Sequence, residues 1–296
     1  MKGGMDLKPS ILFQIINDLS KQAHSIQLLC YLAKVSRSGY YKWVKRKAFP
    51  SEKELEDKRL KQKIMECHQK YKGIYGYRRI QMWLKRTYDI HVNHKKVQRL
   101  LSELGIKFII RKKRIYYDKK EPYLISNNYL NRDFYASRPN EKWVTDITYL
   151  IFNGQKLYLS AINDLYNNEV VAYRISRRND YKLVLDTFKK AIKGRNVKGT
   201  LLHSDQGYQY TSHNYKQLLI KYKMKASMSR KGNCWDNASM ESFFSHLKTE
   251  CFNLYTFKSS KEVRRAIKDY IHFYNYERFQ NKLNNLTPIE YRSQVS

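Results

Sequence analysis

The 296-residue sequence predicts an α/β core, a mixed sheet with flanking helices, preceded by all-α helical modules. Two observations carry this reading. Up to about residue 106, apolar residues recur at helical spacing between helix-start and helix-stop signals. From residue 141 the rhythm changes to three strand-like runs joined by turns, after which helix and strand alternate.

Residues 9–22 have helical spacing at Ile11, Ile15, Ile16 and Leu19. His24 to Arg46 reads as two short helices broken at Lys34-Val35-Ser36, with Ser36 or Ser38 as the cap of the second. That second helix carries Tyr40, Tyr41, Lys42, Trp43, Lys45 and Arg46, a helix-turn-helix outline with a basic, aromatic face suited to a DNA groove. A plain helical hairpin has the same pattern. Residues 1–50 form this first module, with Lys42 and Arg46 as its candidate DNA contacts.

A second helical module spans 51–106. Ser51, followed by Glu52, Glu54, Glu56 and Asp57, starts a helix running to about Tyr71. A glycine-punctuated turn, Gly73 to Arg79, leads into a helix from Ile80 to Tyr88, and a third helix, Asn93 to Leu104, stops at Gly105. Residues 107–139 are a basic connector, including the β-prone strip Lys107 to Arg114, expected to extend along DNA or a neighbouring subunit.

The core spans 140–260. Its first strand carries Asp146 two residues after Val144, so the two share a face. Asn153-Gly154 is a hairpin turn into Leu157 to Ile162, and a third strand covers Glu169 to Ile175. Helices are expected over Tyr181 to Lys193 and Ser212 to Tyr222. Between them a short apolar run stops at Ser204-Asp205-Gln206-Gly207, which puts Asp205 at a strand tip, the rim where open α/β sheets bind ligands. A helix capped by Asp236 or Asn237 follows, with Glu241 at the edge of its apolar stripe. Residues 261–296 extend the core: Ile271 to Tyr291 opens with a helix carrying Asn275 and Arg278, and a short helix capped by Thr287-Pro288 follows.

Asp146, Asp205 and Glu241 converging from two strands and a helix would repel one another without a cation between them. All-oxygen ligands suit Mg²⁺, with Mn²⁺ as a substitute. Asp164 is a rival acid, read as a turn residue because it stands in a polar turn. His203 and Ser204 are adjacent on a strand and point to opposite faces, so they cannot form a nucleophile–base pair. His203 is read as a strand-end packing or phosphate-contacting residue.

WVTDITYL, HSDQGYQYTS, SMSRKGNCWDNASMESFFSHLKTE and YIHFYNYERFQNKLNNLTPIEY together resemble the second-frame (OrfB) transposases of a large bacterial insertion-sequence family, whose core is similar to retroviral integrase. The family pattern is Asp, Asp and then Glu after 35 intervening residues, the spacing of Asp205 and Glu241 here. The resemblance implies a ribonuclease-H-like core acting on double-stranded DNA, both element ends and target. Asp146, Asp205 and Glu241 would be catalytic ligands of two metal ions that promote strand cleavage by water and joining by a DNA 3′-OH. It also implies that Lys248, seven residues after Glu241, contacts the DNA end. Arg78, Arg79, Lys95, Lys96 and Arg99 would be phosphate contacts of a second helix-turn-helix module, where ordinary solvated charge is the competing reading. HSDQGYQY departs from the family's usual Arg after the Asp and Ser before the second Gln, without removing a ligand. A homo-oligomer on DNA is expected, and an upstream-frame helix-turn-helix and coiled-coil product is a possible partner or fusion. The alternative in another class is a non-catalytic DNA-binding regulator derived from a transposase.

Composition agrees with a polyanionic partner. The net charge is +32, and residues 1–140 alone hold 32 Lys and Arg against 12 Asp and Glu, far more than solubility requires. No apolar run reaches about 18 residues and no leader pattern opens the chain, so a cytoplasmic, nucleoid-associated protein is expected. Cys30, Cys67, Cys234 and Cys251 lack metal-ligand spacing and are read as reduced thiols.

Overall fold

A computed structural model describes residues 7–22, 24–109, 126–230 and 233–294. Most of the Lys107–Arg114 strip lies outside these residues. The chain divides into two compact units, Met1–Lys70 with Leu84–Ile106, and Tyr71–Trp83 with Lys107–Ser296.

The first unit is helical. α1 (Pro9–Ser20), α2 (Ile26–Leu32) and α3 (Arg37–Ala48) meet on buried Ile16, Cys30 and Tyr40. Ser36 caps α3 by accepting from the Gly39 amide at 3.1 Å, and a Cβ on Gly39 would lie 2.8 Å from that same hydroxyl. Lys42 and Arg46 are exposed one turn apart on α3. α4 (Glu52–Lys70) and α6 (His94–Glu103) follow, with Leu60 and Ile64 of α4 and Val97 and Leu100 of α6 buried, and α5 (Tyr77–Tyr88) divides between the two units at Leu84. Asn93 caps α6 by accepting from the Lys95 amide, and Gly105 at φ +66° ends it.

The second unit is an α/β core with ribonuclease-H-like topology. β1 (Lys142–Phe152), β2 (Gln155–Asp164) and β3 (Val170–Ser176) form an antiparallel meander, and β4 (Leu201–Ser204) and β5 (Lys225–Met228) add in parallel beside β1, giving the order β3-β2-β1-β4-β5. Asn153 and Gly154 both have positive φ, 42° and 69°, as the tight β1–β2 hairpin requires. α7 (Tyr181–Ile192) and α8 (His213–Lys221) cover one sheet face, where Trp143 and Ile162 meet Phe188 and Leu219. α9 (Ala238–Glu250) and α10 (Ser260–Tyr276) cover the other, where Val144 and Leu150 meet Phe243, Leu247 and Ile267. This split alternates along β1 as strand geometry demands.

Three sequence expectations change. β5 was not expected, and α10 begins at Ser260, well before Ile271. Asp164, expected as a residue of a polar turn, leads into that turn but is fully buried at the end of β2. It accepts from the Asn140 and Tyr166 amides at 2.8 and 3.1 Å, and Arg292 stands 3.4 Å away. α11 (Pro288–Ser293), which carries Arg292, opens with a capping box between Thr287 and Glu290.

Candidate active site

The site forms where two neighbouring strands part. β1 pairs with β4 only over Lys142–Val144, opposite Leu201–His203. Beyond Val144, β1 continues along β2 with no strand paired on its β4 side among the described residues, while β4 ends at Ser204. The gap is a crevice at the carboxyl end of a parallel pair. Asp146 lies on one wall and Asp205 on the other. Both line a cleft of about 120 Å³ with Ile147, Thr148, Tyr149, Tyr158, Asn179, Gln209 and Tyr210.

Each carboxylate has one backbone anchor. Asp146 Oδ1 accepts from the Ile147 amide at 2.7 Å, and Asp205 Oδ1 accepts from the Gly207 amide at 3.0 Å. A Cβ on Gly207 would sit 3.0 Å from that Asp205 oxygen and 2.9 Å from Gln209 Oε1, so a side chain there would press on the Asp205 carboxylate. Gln209 in turn donates to Asn179 Oδ1 at 2.6 Å.

Burial is the largest influence on both acids and pushes their pKa values above the ordinary carboxylate range. At Asp146 the charges of Asp205 and Glu241 push the same way, while the Ile147 amide and Lys248 oppose. Glu241, half-buried in the first turn of α9, therefore acts on the same point as the two aspartates, and so does Lys248. Burial and the two aspartates also drive the Tyr210 phenol upward, so it stays protonated. Among the described residues, no three His, Cys, Asp or Glu side chains are closed up as a finished ligand shell. The acids act on one another at the cleft through charge, Asp205 and Glu241 both raising the pKa of Asp146.

What holds α9 in place was not foreseen from the sequence. Asp236, expected as a candidate cap, makes no cap; it lies fully buried in the 3-10 turn Cys234–Asn237 just before α9. Its carboxylate accepts from Arg230 Nη2 at 2.8 Å and Nε at 2.9 Å, from the Arg230 amide at 3.0 Å, from Arg132 Nε at 2.9 Å and from Asn128 Nδ2 at 2.9 Å. The Arg230 bonds, though opposed by burial, hold it well below the usual carboxylate range. Next to it, Asn237 Nδ2 reaches the Thr145 carbonyl at 3.5 Å, one residue before Asp146. The connector, the β5 exit and the start of α9 are thus pinned at one carboxylate. The signal in the sequence was only the polar run Asn233 to Asn237 ahead of an apolar stripe, which reads as an ordinary helix start.

His203 is fully buried, its ring nitrogens 2.8 Å from Ser227 Oγ and 3.0 Å from Ser229 Oγ. Burial lowers its pKa to about 4, so it is neutral. It packs β4 against β5 and is not exposed to phosphate.

The cationic positions differ among themselves. Lys42, Arg46, Arg78 and Lys95 are exposed. Lys96 and Arg99 face acids of α4 and their own helix: Lys96 lies 2.9 and 3.1 Å from Glu56 and Asp57, and Arg99 lies 2.7 and 2.6 Å from Asp57 and Glu103. Arg79 turns inward, donating from Nε to the Phe279 carbonyl at 3.1 Å and lying 4.0 Å from Glu250.

Similarity to known proteins decides the family. The chain is 42% identical over 283 residues to InsK of insertion sequence element IS150 in Escherichia coli K12, a match covering 95% of this chain and 98% of that protein. The chain belongs to the insertion-sequence transposases. It is 36% identical to the transposase of insertion sequence element IS904 in Lactococcus lactis, over 82% of this chain and 96% of that protein. Integrase core domain models match residues 136–234 and 241–295, and an HTH-like domain model matches 54–114. Among solved structures, the HTLV-2 integrase catalytic core domain in complex with magnesium is 18% identical, covering 53% of this chain and 99% of that chain, with a TM-score of 0.45. The protein is thus a DNA transposase of the nucleotidyl-transfer class. No helix among its described residues is long and apolar enough to cross a membrane.

Proposed function

We propose that this transposase cuts the ends of its element and joins them to target DNA at the β1–β4 crevice, with Asp146, Asp205 and Glu241 as catalytic residues and metal ligands. One observation carries the reading: two half-buried aspartates on opposite walls of one cleft, with Glu241 raising the pKa of the first. Carboxylates kept this close resist ionisation without a cation, and an all-oxygen donor set fits hard divalent ions, Mg²⁺ first and Mn²⁺ as a substitute. Two such ions, when bound, activate the attacking oxygen and relieve charge on the leaving one. The protein's own part is placement. Backbone amides of Ile147 and Gly207 aim the aspartates, and Lys248 adds positive charge where a DNA phosphate would lie. The presence of all three acids at one site favours catalysis over a regulator that only binds DNA.

Asp236 acts here as a positioning residue for α9 and Glu241. Asp236→Asn removes the charge on which two arginines converge and should lower the turnover rate more than DNA affinity. Steady-state cleavage should show kcat reduced at least tenfold with KM within threefold. An unchanged kcat would leave Asp236 a purely structural residue.

Residues 1–50 and 51–106 are proposed as the DNA-binding modules, working as a homo-oligomer on the element ends, alone or with an upstream-frame partner. Exposed Lys42, Arg46, Arg78 and Lys95 are the better phosphate contacts. Lys96 and Arg99 contribute less because acids already face them, and Arg79 serves packing. Metal-free binding to end duplex should then fall steeply with salt, by about a thousandfold or more between 50 and 200 mM if six or more phosphates are neutralised. A flat salt titration by fluorescence anisotropy would remove phosphate contacts as the basis of binding.

A further inference from the structure

We propose that Tyr149 is a stacking platform for an unpaired DNA base beside the cut, with Lys248 and Lys156 drawing in the phosphates on either side. This rests on reading the crevice as the strand-cleaving site. Tyr149 stands on β1 between buried Thr148 and Leu150, yet 56% of its surface is exposed. Its ring lines the same cleft as Asp146 and Asp205, together with its cross-strand partner Tyr158.

Two ammonium groups from different elements address this ring. Lys248 Nζ, from α9, lies 4.9 Å from the ring centroid, and Lys156 Nζ, from β2, lies 5.7 Å away. Cation–π contacts at exposed sites are weak, so the lysines are not needed to hold the tyrosine. What the three side chains make is an open aromatic face flanked by positive charge, the combination that single-stranded nucleic acid takes: bases stack on the ring and phosphates meet the cations. Among the described residues no strand pairs with the β4 side of β1 beside it, since pairing with β4 stops at Val144.

The cleft itself calls for an unpaired nucleotide. It is only about 120 Å³, and Asp146 and Asp205 in it are half-buried. A phosphate in an intact duplex is held on a wide, stiff rod, which limits how far it enters between Asp146 and Asp205. A nucleotide released from its partner is freed from that limit, and its freed base needs a surface to replace lost stacking. Tyr149 offers that surface at the cleft, and stacking tolerates any base.

The test uses the full chain and an end duplex carrying 2-aminopurine at the nucleotide flanking the cut, read by fluorescence before Mg²⁺ is added and by nicking afterwards. Wild type and Tyr149→Phe should quench the probe and nick alike. Tyr149→Leu, which keeps an apolar strand residue, should lose the quench and nick about tenfold to a hundredfold more slowly, the range expected for one base–aromatic stack. Equal quenching by Tyr149→Leu and wild type, or equal nicking, overturns the proposal. Asp205→Asn separates this from the underlying reading: it should quench normally and not nick. If it nicks, the site assignment fails whatever Tyr149 does.

Discussion

Asp146→Asn, Asp205→Asn and Glu241→Gln should each reduce strand cleavage of a labelled end duplex by at least a thousandfold, while binding of the same duplex stays within a few-fold of wild type. Each substitution keeps side-chain shape and removes one negative oxygen donor. Residues that act as one unit lose nearly everything with the first member removed, so the double variants should be no worse than the singles. The structure adds a sign for stability. Burial and mutual repulsion already penalise ionised Asp146, so Asp146→Asn in metal-free buffer should melt at or above wild type. Residual nicking near wild type in Asp205→Asn would mean that other acids do the work. Asp164 is not a neutral control for this series, because its carboxylate is buried under two amides and Arg292. An Asp164→Asn variant tests folding.

The largest stability loss is expected at the far end of α9. Arg278, 3% exposed, donates to Glu250 from Nη2 at 2.6 Å and Nε at 2.8 Å, and the Tyr270 hydroxyl and His246 ring complete the shell at 2.9 and 3.3 Å. Burial alone would raise the Glu250 pKa, but bonds from His246 and Arg278 pull it well below the usual range. Arg278→Met strands that carboxylate and should cost about 3–5 kcal/mol in urea denaturation, whereas adding Glu250→Gln should recover most of the loss. Because Glu250 has a depressed folded pKa, its contribution is full above the ordinary glutamate range and fades as pH falls through and below it. The wild type and Glu250→Gln should therefore converge in stability toward acid pH. A loss below 1 kcal/mol for Arg278→Met at neutral pH would show the pair to be incidental.

Local chemistry made much of this molecule legible in its sequence. Ser36, one of two candidate caps, and Thr287 cap their helices with their hydroxyls, and Asn153-Gly154 turns the first hairpin. Asp205 stands just past its strand because an apolar run met a turn-forming Asp-Gln-Gly. What the sequence hid was decided by distant partners. β5 is four residues, Lys225-Ala226-Ser227-Met228, too short and mixed to show a period, and exists because β4 offers a parallel edge. Arg79 looked like its neighbour Arg78, but the Phe279 carbonyl, some 200 residues on, turns it inward. Asp236 looked like a helix cap until Arg132 and Arg230 arrived from other segments to claim its oxygens.

Direct metal binding tests the central claim best at Glu241, because Glu241 acts on Asp146 through charge while the two aspartates line the cleft themselves. Mn²⁺ titrated into wild type and into Glu241→Gln, with free ion read by electron paramagnetic resonance, measures whether the three acids make one site. A shared site predicts that Glu241→Gln loses Mn²⁺ affinity at least tenfold, as Asp205→Asn does, while still binding end duplex. Mn²⁺ binding by Glu241→Gln equal to wild type, in affinity and number of ions, would contradict it.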